Sequence, residues 1–117
     1  MTENRFDVTT RVEDGRLLVM MTGDVNAGAA SKMEEVQNAV ADTGLRGVVL
    51  DFGKVDYINS TGIALIVSLL ARARAANVEV VAFGLTDHYR QIFQITRLSD
   101  FVGIYPDKAS ALRAAPV

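Results

Sequence analysis

The fold of this chain is decided by residues 48–76, which read VVLDFGKVDYINSTGIALIVSLLARARAA. A short apolar run ends at Asp51, and a turn is predicted at Gly53 and Lys54. The apolar residues that follow at helical spacing are Ile63, Ile66, Val67, Leu70 and Ala73. The stretch therefore predicts a strand, a loop and a helix, with the polar residues 59–62 where the helix begins.

Two hydroxyl residues stand at the start of this helix. Asn59 is a good N-cap, because its side-chain oxygen can accept a hydrogen bond from a free backbone N–H, and Ser60 and Thr61 then fall in the first turn. The amides and the dipole of a first turn favour negative charge, so a phosphate on either hydroxyl would lie at an anion site. A plainer interpretation stays open at this point, since such residues are usually only helix caps.

Composition excludes several classes of function. The 117 residues are typical of one domain, which we place at residues 1–117. Twelve basic and 14 acidic residues give a net charge of −2, which provides no field that would attract nucleic acid or an anionic membrane. The absence of cysteine excludes disulfides, thiol catalysis and thiolate metal sites.

No targeting or membrane segment is predicted. The first ten residues, MTENRFDVTT, are polar and lack the apolar core of a signal peptide. The longest apolar run, residues 62–70, is interrupted by Ser68 and is too short to span a bilayer. We therefore expect a cytoplasmic protein that does not insert into membranes.

The remaining elements follow from alternation, helical spacing and turn residues. Phe6–Val12 and Arg16–Met21 predict two antiparallel strands joined at Asp14-Gly15. The next segment predicts a helix that ends near Thr43-Gly44, with an apolar stripe of Ala30, Met33, Val36 and Val40, extended by Ala29 and Ala39. The later predictions are a buried strand at Arg46–Phe52, a strand at Val78–Phe83, a helix capped by Thr86 or Asp87 that runs through Tyr89, Ile92, Phe93 and Ile95, an edge strand at Phe101–Tyr105, and a helix opened by Pro106 that carries Ala109, Leu112 and Arg113.

This order predicts an α/β domain whose mixed sheet has about five strands, with about four helices. Because strand, helix and strand recur with short connections, the later strands should be parallel with right-handed crossovers. A chain this short cannot cover both faces of the sheet fully. One face is therefore expected to be partly open, or to be closed by the N-terminal strand.

The central stretch resembles the signature of STAS domains, the sulfate-transporter and anti-sigma-factor-antagonist fold. In that family a strand ends in Asp and an apolar residue, and a small turn and an aromatic or aliphatic pair lead to Asp-Ser-Ser/Thr-Gly and a leucine-rich helix. The matching residues here are Leu50-Asp51-Phe52, Gly53, Val55, Tyr57-Ile58, Asn59-Ser60-Thr61-Gly62 and Leu65. Gly23-Asp24-Val25-Asn26 is similar to the family's Gly-Asp/Glu-Leu-Asp step, and the strand to Phe83 and the helix followed by Leu98 match its closing layout.

The resemblance implies a binding domain without catalysis, cofactor or metal. Its partner would be an anti-sigma factor with serine-kinase activity, which the unmodified protein binds so that the sigma factor is released. Phosphorylation by that kinase would fall on Ser60, with Thr61 as the second choice, and a phosphatase would be a further partner. The implied partner-binding residues are Asp24, Val25, Asn26, Asn59, Ser60, Thr61, Gly62, Ile63 and Ile66, with the exposed side of the helix as far as Arg74.

Two departures from the family pattern leave a second function open. Typical phosphorylated members carry acidic residues where this chain has Asn59 and Asn26. Asparagine keeps the capping capacity and removes the charge that a kinase or partner could recognise. The alternative is a STAS subunit that is not phosphorylated and acts as a constitutive scaffold of a transporter ATPase or a signalling complex.

The other residues that could carry chemistry do not indicate an enzyme. His88, the only histidine, has no second histidine or carboxylate cluster beside it in the sequence, so we expect it to be solvated. Asp51 and Asp56 could form a carboxylate pair, but aspartates at strand ends and turns usually accept hydrogen bonds from nearby amides. The chain also contains no GxxxxGK or GxGxxG phosphate loop.

Overall fold

A computed structural model describes residues 5–117, so the predicted domain and polar N-terminal segment include four residues, 1–4, that lie outside the described part. The elements are β1 (Asp7–Glu13), β2 (Arg16–Val25), α1 (Ala30–Asp42), β3 (Gly47–Ile58), α2 (Ser60–Ala75), β4 (Glu79–Phe83), α3 (Asp87–Ile95), β5 (Gly103–Tyr105) and α4 (Lys108–Ala114). Short 3-10 turns at Ala27–Ala29 and Leu98–Asp100 precede α1 and β5. The predicted α/β class and order of elements are confirmed.

The five strands form one sheet in the order β1-β2-β3-β4-β5. β1 and β2 are antiparallel, and the hairpin between them turns at Asp14 and Gly15, whose φ angles of 52° and 78° suit a two-residue turn. The pairs β2–β3, β3–β4 and β4–β5 are parallel, as the recurring strand and helix units predict. The sheet is therefore mixed, with one antiparallel edge.

Helices lie on both faces of the sheet, but unequally. The larger core packs α1, α2 and α3 against alternate residues of the strands, including Val19, Leu50 and Val80. On the other face, Leu18 and Val49 pack with residues of α4. Seven residues make a helix of only about 10 Å, so this face is partly open. Closure by the N-terminal strand was the wrong alternative, because β1 pairs with β2 at the edge of the sheet.

β3 is longer than the sequence predicts. The predicted turn at Gly53 and Lys54 is wrong, because the strand continues for 12 residues to Ile58. Its second half stays paired with β2, with register shifts between Met20 and Thr22 and again after Gly23. Bulges of this kind bend a strand, and here they let β3 continue to the level of Val25.

The predicted apolar stripes of α1 and α2 are confirmed at most positions, and one edge of each is exposed. In α1 the buried residues are Met33, Val36 and Val40, while Ala30 is exposed and Ala39 is half-buried. In α2 the predicted residues Ile66, Leu70 and Ala73 are buried together with Leu69. Ile63 is half-buried, and Val67 is 46% exposed. The spacing of apolar residues predicts which side of a helix is apolar, but not which edge of that side packs against the sheet.

The last third of the chain differs from the prediction at its boundaries. β5 begins at Gly103, because the residues before it form the 3-10 turn and leave Phe101 exposed. α4 begins after Pro106: Asp107 is its N-cap, and its carboxylate accepts from Ser110 N–H at 2.8 Å. The buried residues of α4 include Ala111 and Leu112, whereas Ala109 is exposed. No helix within residues 5–117 is long and apolar enough to cross a membrane.

Candidate protein-interaction site

The start of α2 has the geometry that its sequence predicts. Asn59 is the N-cap, with an extended backbone, and its side-chain oxygen accepts from Gly62 N–H at 2.9 Å. Ser60 and Thr61 occupy the first turn, and both are exposed. The first amides of a helix have no partner within the helix, so both hydroxyls lie where backbone and dipole favour an anion.

The end of β2 holds this turn in place. The N–H of Asn59 donates to the carbonyl of Val25 at 3.2 Å. Gly62 lies against the same carbonyl, so closely that a Cβ on Gly62 would be 1.9 Å from the Val25 oxygen. A side chain is therefore excluded at position 62, and the first turn of α2 has a fixed distance from the sheet.

A second anchor comes from α3, and sequence reasoning missed it. The backbone N–H of Ile58 donates to the hydroxyl of Tyr89 at 2.9 Å. The two consecutive amides of Ile58 and Asn59 are thus held by two different elements. Tyr89 was predicted only as an apolar helix position. The sequence does predict Thr86 as a cap of α3, and the structure confirms it as the N-cap. A cap fixes where the helix begins, but it gives no information about which distant backbone group Tyr89 contacts.

The loop after β2 lies beside this turn. Asp24 is half-buried and stands in register with Tyr57, which is 53% exposed. Asn26 caps the following 3-10 turn, because its side-chain oxygen accepts from Gly28 N–H at 2.9 Å. The side-chain amide of Asn26 therefore acts as a cap, as its sequence position predicts. Tyr57 is an addition to the predicted surface, and alternation along an extended β3 is the signal that could have identified it.

Three predicted contact residues are buried. Val25 and Ile66 are 0% and 1% exposed, and Gly62 is also buried. In this conformation a partner cannot reach the side chains of Val25 and Ile66, and Gly62 has no side chain, so direct contact at these three positions does not fit their burial. They belong to the core that supports the turn, while Ile63 is half-buried beside it.

The accessible surface at this place, which we call the docking surface, combines the ends of two strands with the start of a helix. It consists of Asp24, Asn26, Tyr57, Asn59, Ser60, Thr61 and Ile63, each exposed or half-buried. Five of these side chains are aliphatic polar groups, Tyr57 adds one exposed aromatic ring and Ile63 one apolar side chain.

Three titratable residues that the sequence singled out lie near this surface: Asp51, Asp56 and His88. The carboxylate of Asp51 accepts from Gly53 N–H at 2.8 Å, which confirms its structural interpretation, while Asp56 is exposed. His88 is also exposed, and its ring contacts the ring of Tyr89. Among residues 5–117 no group of three or more histidine, aspartate or glutamate side chains is placed to hold a metal ion.

The carboxylates with a lowered pKa lie in other parts of the fold. A hydrogen bond from Lys32, on α1, lowers the pKa of Asp7 at the start of β1. Hydrogen bonds from Lys108 and then Arg11 lower the pKa of Glu13, and those from Ser110 lower the pKa of Asp107. These groups secure the edge strand and α4 rather than the docking surface.

Comparisons with known proteins agree with this geometry. The family model of the STAS domain matches residues 7–111. The Bordetella bronchiseptica protein BtrV, which is named as a candidate anti-sigma factor antagonist, is 36% identical over 102 residues, covering 87% of this chain and 85% of BtrV. The anti-sigma-B factor antagonist of Staphylococcus aureus is 26% identical over 85% of this chain and 92% of its own.

The fold also matches solved structures. An anti-sigma factor antagonist from Mycobacterium paratuberculosis superposes with a TM-score of 0.77 at 22% identity, covering 94% of this chain and 93% of that one. At this identity the match concerns the fold alone, and the family assignment rests on the sequence model and on BtrV. The chain therefore belongs to the STAS domain family, in the group that contains the anti-sigma factor antagonists.

Proposed function

We propose that this protein is an anti-sigma factor antagonist whose docking surface binds an anti-sigma factor and is switched by phosphorylation at Ser60. The observation that carries the proposal is the exposure of Ser60 in the first turn of α2, on a backbone fixed by Asn59, Val25 and Tyr89. A rigid, accessible hydroxyl can be presented to a kinase without unfolding the domain.

The switch itself would be electrostatic. A phosphoserine adds a charge of about −1.5 to −2, and at the start of α2 the helix dipole and the free amides stabilise it locally. The fold would therefore tolerate the modification. A partner that covers this surface would have to desolvate the phosphate, or place its own acidic groups against it, so its affinity would fall.

The partner would supply the chemistry that this domain lacks. We propose that the anti-sigma factor is itself the serine kinase and holds the nucleotide, and that a phosphatase restores the hydroxyl. Since sigma factors act with RNA polymerase, the exchange would take place in the cytoplasm. The neighbouring Thr61 is the second candidate acceptor, because it shares the exposed first turn.

One observation favours a second function. Asn26 and Asn59 both use their amide oxygens as caps, so this surface is built without the two carboxylates found in typical phosphorylated members. A domain that never exchanges phosphate could use the same surface as a constitutive scaffold in a transporter ATPase or a signalling complex.

Phosphorylation of the intact protein separates the two functions. The anti-sigma factor recovered with this chain from the native cell would be incubated with it and ATP, and the mass of the product measured. A gain of one phosphate, lost in Ser60→Ala and kept in Ser68→Ala, supports the switch, because Ser68 is exposed on the same helix. A phosphate lost only in Thr61→Ala would move the acceptor by one residue. No phosphate with the recovered partner favours the scaffold.

Binding of the same partner tests the consequence of the charge. We expect Ser60→Asp to weaken binding at least about tenfold, while Thr10→Asp, at an exposed position of β1 outside the docking surface, binds as the wild type does. The free energy of unfolding of Ser60→Asp should stay within about 0.5 kcal/mol of the wild type. Equal binding by Ser60→Asp and wild type would remove the switch from the proposal.

A further inference from the structure

A groove of about 530 Å³ runs along the second half of α2, outside the seven residues of the docking surface. One wall is the row Val67, Leu70, Ala71 and Arg74, and the other is residues 96–101, after α3. The groove begins seven residues after Ser60, or about 10 Å along the helix. Its volume falls within the range of roughly 300 to 1,000 Å³ that is usual for small-molecule sites.

The floor of the groove is apolar. Val80 and Leu98 form part of the floor and are 3% and 5% exposed, so the bottom of the groove is solid core. At the rim, Val67 and Phe101 are 46% and 56% exposed, so the apolar lining continues to the surface. An apolar ligand in the groove would cover both.

The rim also carries one positive charge that is not neutralised. Arg97 forms an ion pair with Asp100 at 3.0 Å. Glu79 also lines the groove, but it alternates in β4 with Val80 and shares the parity of Val81, so we infer that its carboxylate lies on the opposite face of the sheet. Arg74 lies over the ring of Phe101 at 5.5 Å, and no carboxylate of residues 5–117 lies within 4.0 Å of its guanidinium. A contact with the face of a ring leaves the guanidinium N–H groups available to a carboxylate.

We propose that this groove binds a small amphipathic anion, with an acyl chain along the floor and a carboxylate at Arg74. A single chain with a single negative head matches one apolar groove with one unpaired cation at its rim. A second copy of the chain or another protein fits less well. The groove is lined by 12 residues, whereas a stable protein interface needs about 20 to 30 on each side.

Sodium decanoate, kept below its micelle concentration, is the probe, and decanol and decyltrimethylammonium are the chain-matched comparators. In amide NMR titrations decanoate should shift residues 67–74 and 96–101 in a saturable way, and should bind at least about fivefold more tightly than either comparator. Equal affinities for the three probes, or shifts confined to other parts of the chain, would overturn the proposal.

Two variants locate the site. Ala71→Phe fills the groove and should weaken decanoate binding at least about tenfold, whereas Ala75→Phe, exposed on the same helix outside the lining, should bind normally. Arg74→Gln should weaken decanoate about fivefold and leave decanol unchanged, with Arg72→Gln as its control, because Arg72 donates to Asn38 outside the groove.

Other occupants have their own signatures. Unchanged decanoate binding in Ala71→Phe or in Arg74→Gln contradicts the assigned site. A wild-type dimer in sedimentation that dissociates in Ala71→Phe also contradicts it, because a second copy of the chain would then fill the groove. Each measurement uses the isolated chain, so its result is independent of whether Ser60 is phosphorylated.

Discussion

The hydroxyl of Tyr89 accepts a hydrogen bond from the backbone N–H of Ile58 at 2.9 Å, across 31 residues of sequence. This bond joins α3 to the last residue of β3, immediately before the cap of α2. The hydroxyl that we propose as the phosphate acceptor is therefore positioned by α3 as well as by the sheet. The stability of the turn can be tested one contact at a time.

Removing the hydroxyl of Tyr89 should loosen the turn. Tyr89→Phe leaves the part-buried N–H of Ile58 without its acceptor, at an expected cost of about 1 to 2 kcal/mol in the free energy of unfolding. Urea denaturation measures the loss, and hydrogen exchange should show a faster amide at Ile58. Tyr57→Phe is the control, because Tyr57 is 53% exposed. If Tyr89→Phe and Tyr57→Phe have similar urea midpoints, and the Ile58 amide exchanges no faster in Tyr89→Phe, the hydrogen bond does not anchor the turn.

A side chain at position 62 should be poorly tolerated. In Gly62→Ala the Cβ would lie 1.9 Å from the carbonyl oxygen of Val25, so α2 or β2 must move. We expect a loss of about 3 kcal/mol by chemical denaturation. Gly28→Ala is the matched control, since its Cβ would be 3.2 Å from the Asn26 side chain at an exposed site, and it should cost less than about 1 kcal/mol. Equal losses would mean that the helix start can shift freely.

The cap at position 59 can be changed in both directions. Asn59→Ala should lose about 1 kcal/mol because Gly62 N–H loses its acceptor. Asn59→Asp should gain about 0.3 to 1 kcal/mol at pH 7, because a carboxylate is favoured at the start of a helix. The helix start would hold the pKa of that carboxylate below its unfolded value, so the gain should vanish as the pH falls through the folded pKa. An Asn59→Asp variant no more stable than wild type at pH 7 and low salt would contradict the predicted anion preference.

Acid should destabilise the edge of the sheet first. Asp7, Glu13 and Asp107 have lowered pKa values in the folded protein, so their ionised forms contribute stability that is present above the unfolded pKa values. That contribution is lost as the pH falls below about 4 and through the lowered values. Denaturation of Glu13→Gln should therefore depend less on pH between about 5 and 2 than that of the wild type. Glu34→Gln, which removes an exposed carboxylate of α1, is the matched control.

Local features of the fold were predictable because their physical causes are local. The turn at Asp14-Gly15 requires residues that accept a positive φ, and both residues are present in sequence. The cap of Asn59 reaches an amide only three residues away. The start of α2, and with it the exposure of Ser60 and Thr61, could therefore be read from the order of residues. The same is true of the family, whose central motif lies within residues 50–65.

Errors arose where distant parts of the chain compete. β3 was predicted to end at Phe52 because Gly53 and Lys54 are typical of a turn, but hydrogen bonds to β2 continue the strand to Ile58. Val67 was assigned to the core from its spacing, although the path of residues 96–101 leaves it at the rim of a groove. Val25 and Ile66 were assigned to the surface, and the packing of α2 on the sheet buries them.

The sequence by itself determined the order of the elements, the hairpin, the helix caps and the position of the candidate phosphoacceptor, because each depends on residues a few positions apart. Only the tertiary structure decided which side chains around that hydroxyl remain accessible, that Tyr89 and Val25 hold its turn, and that a groove opens beside Arg74. These features depend on contacts between segments about 20 or more residues apart in the chain, whose relative positions are set by packing of the whole core.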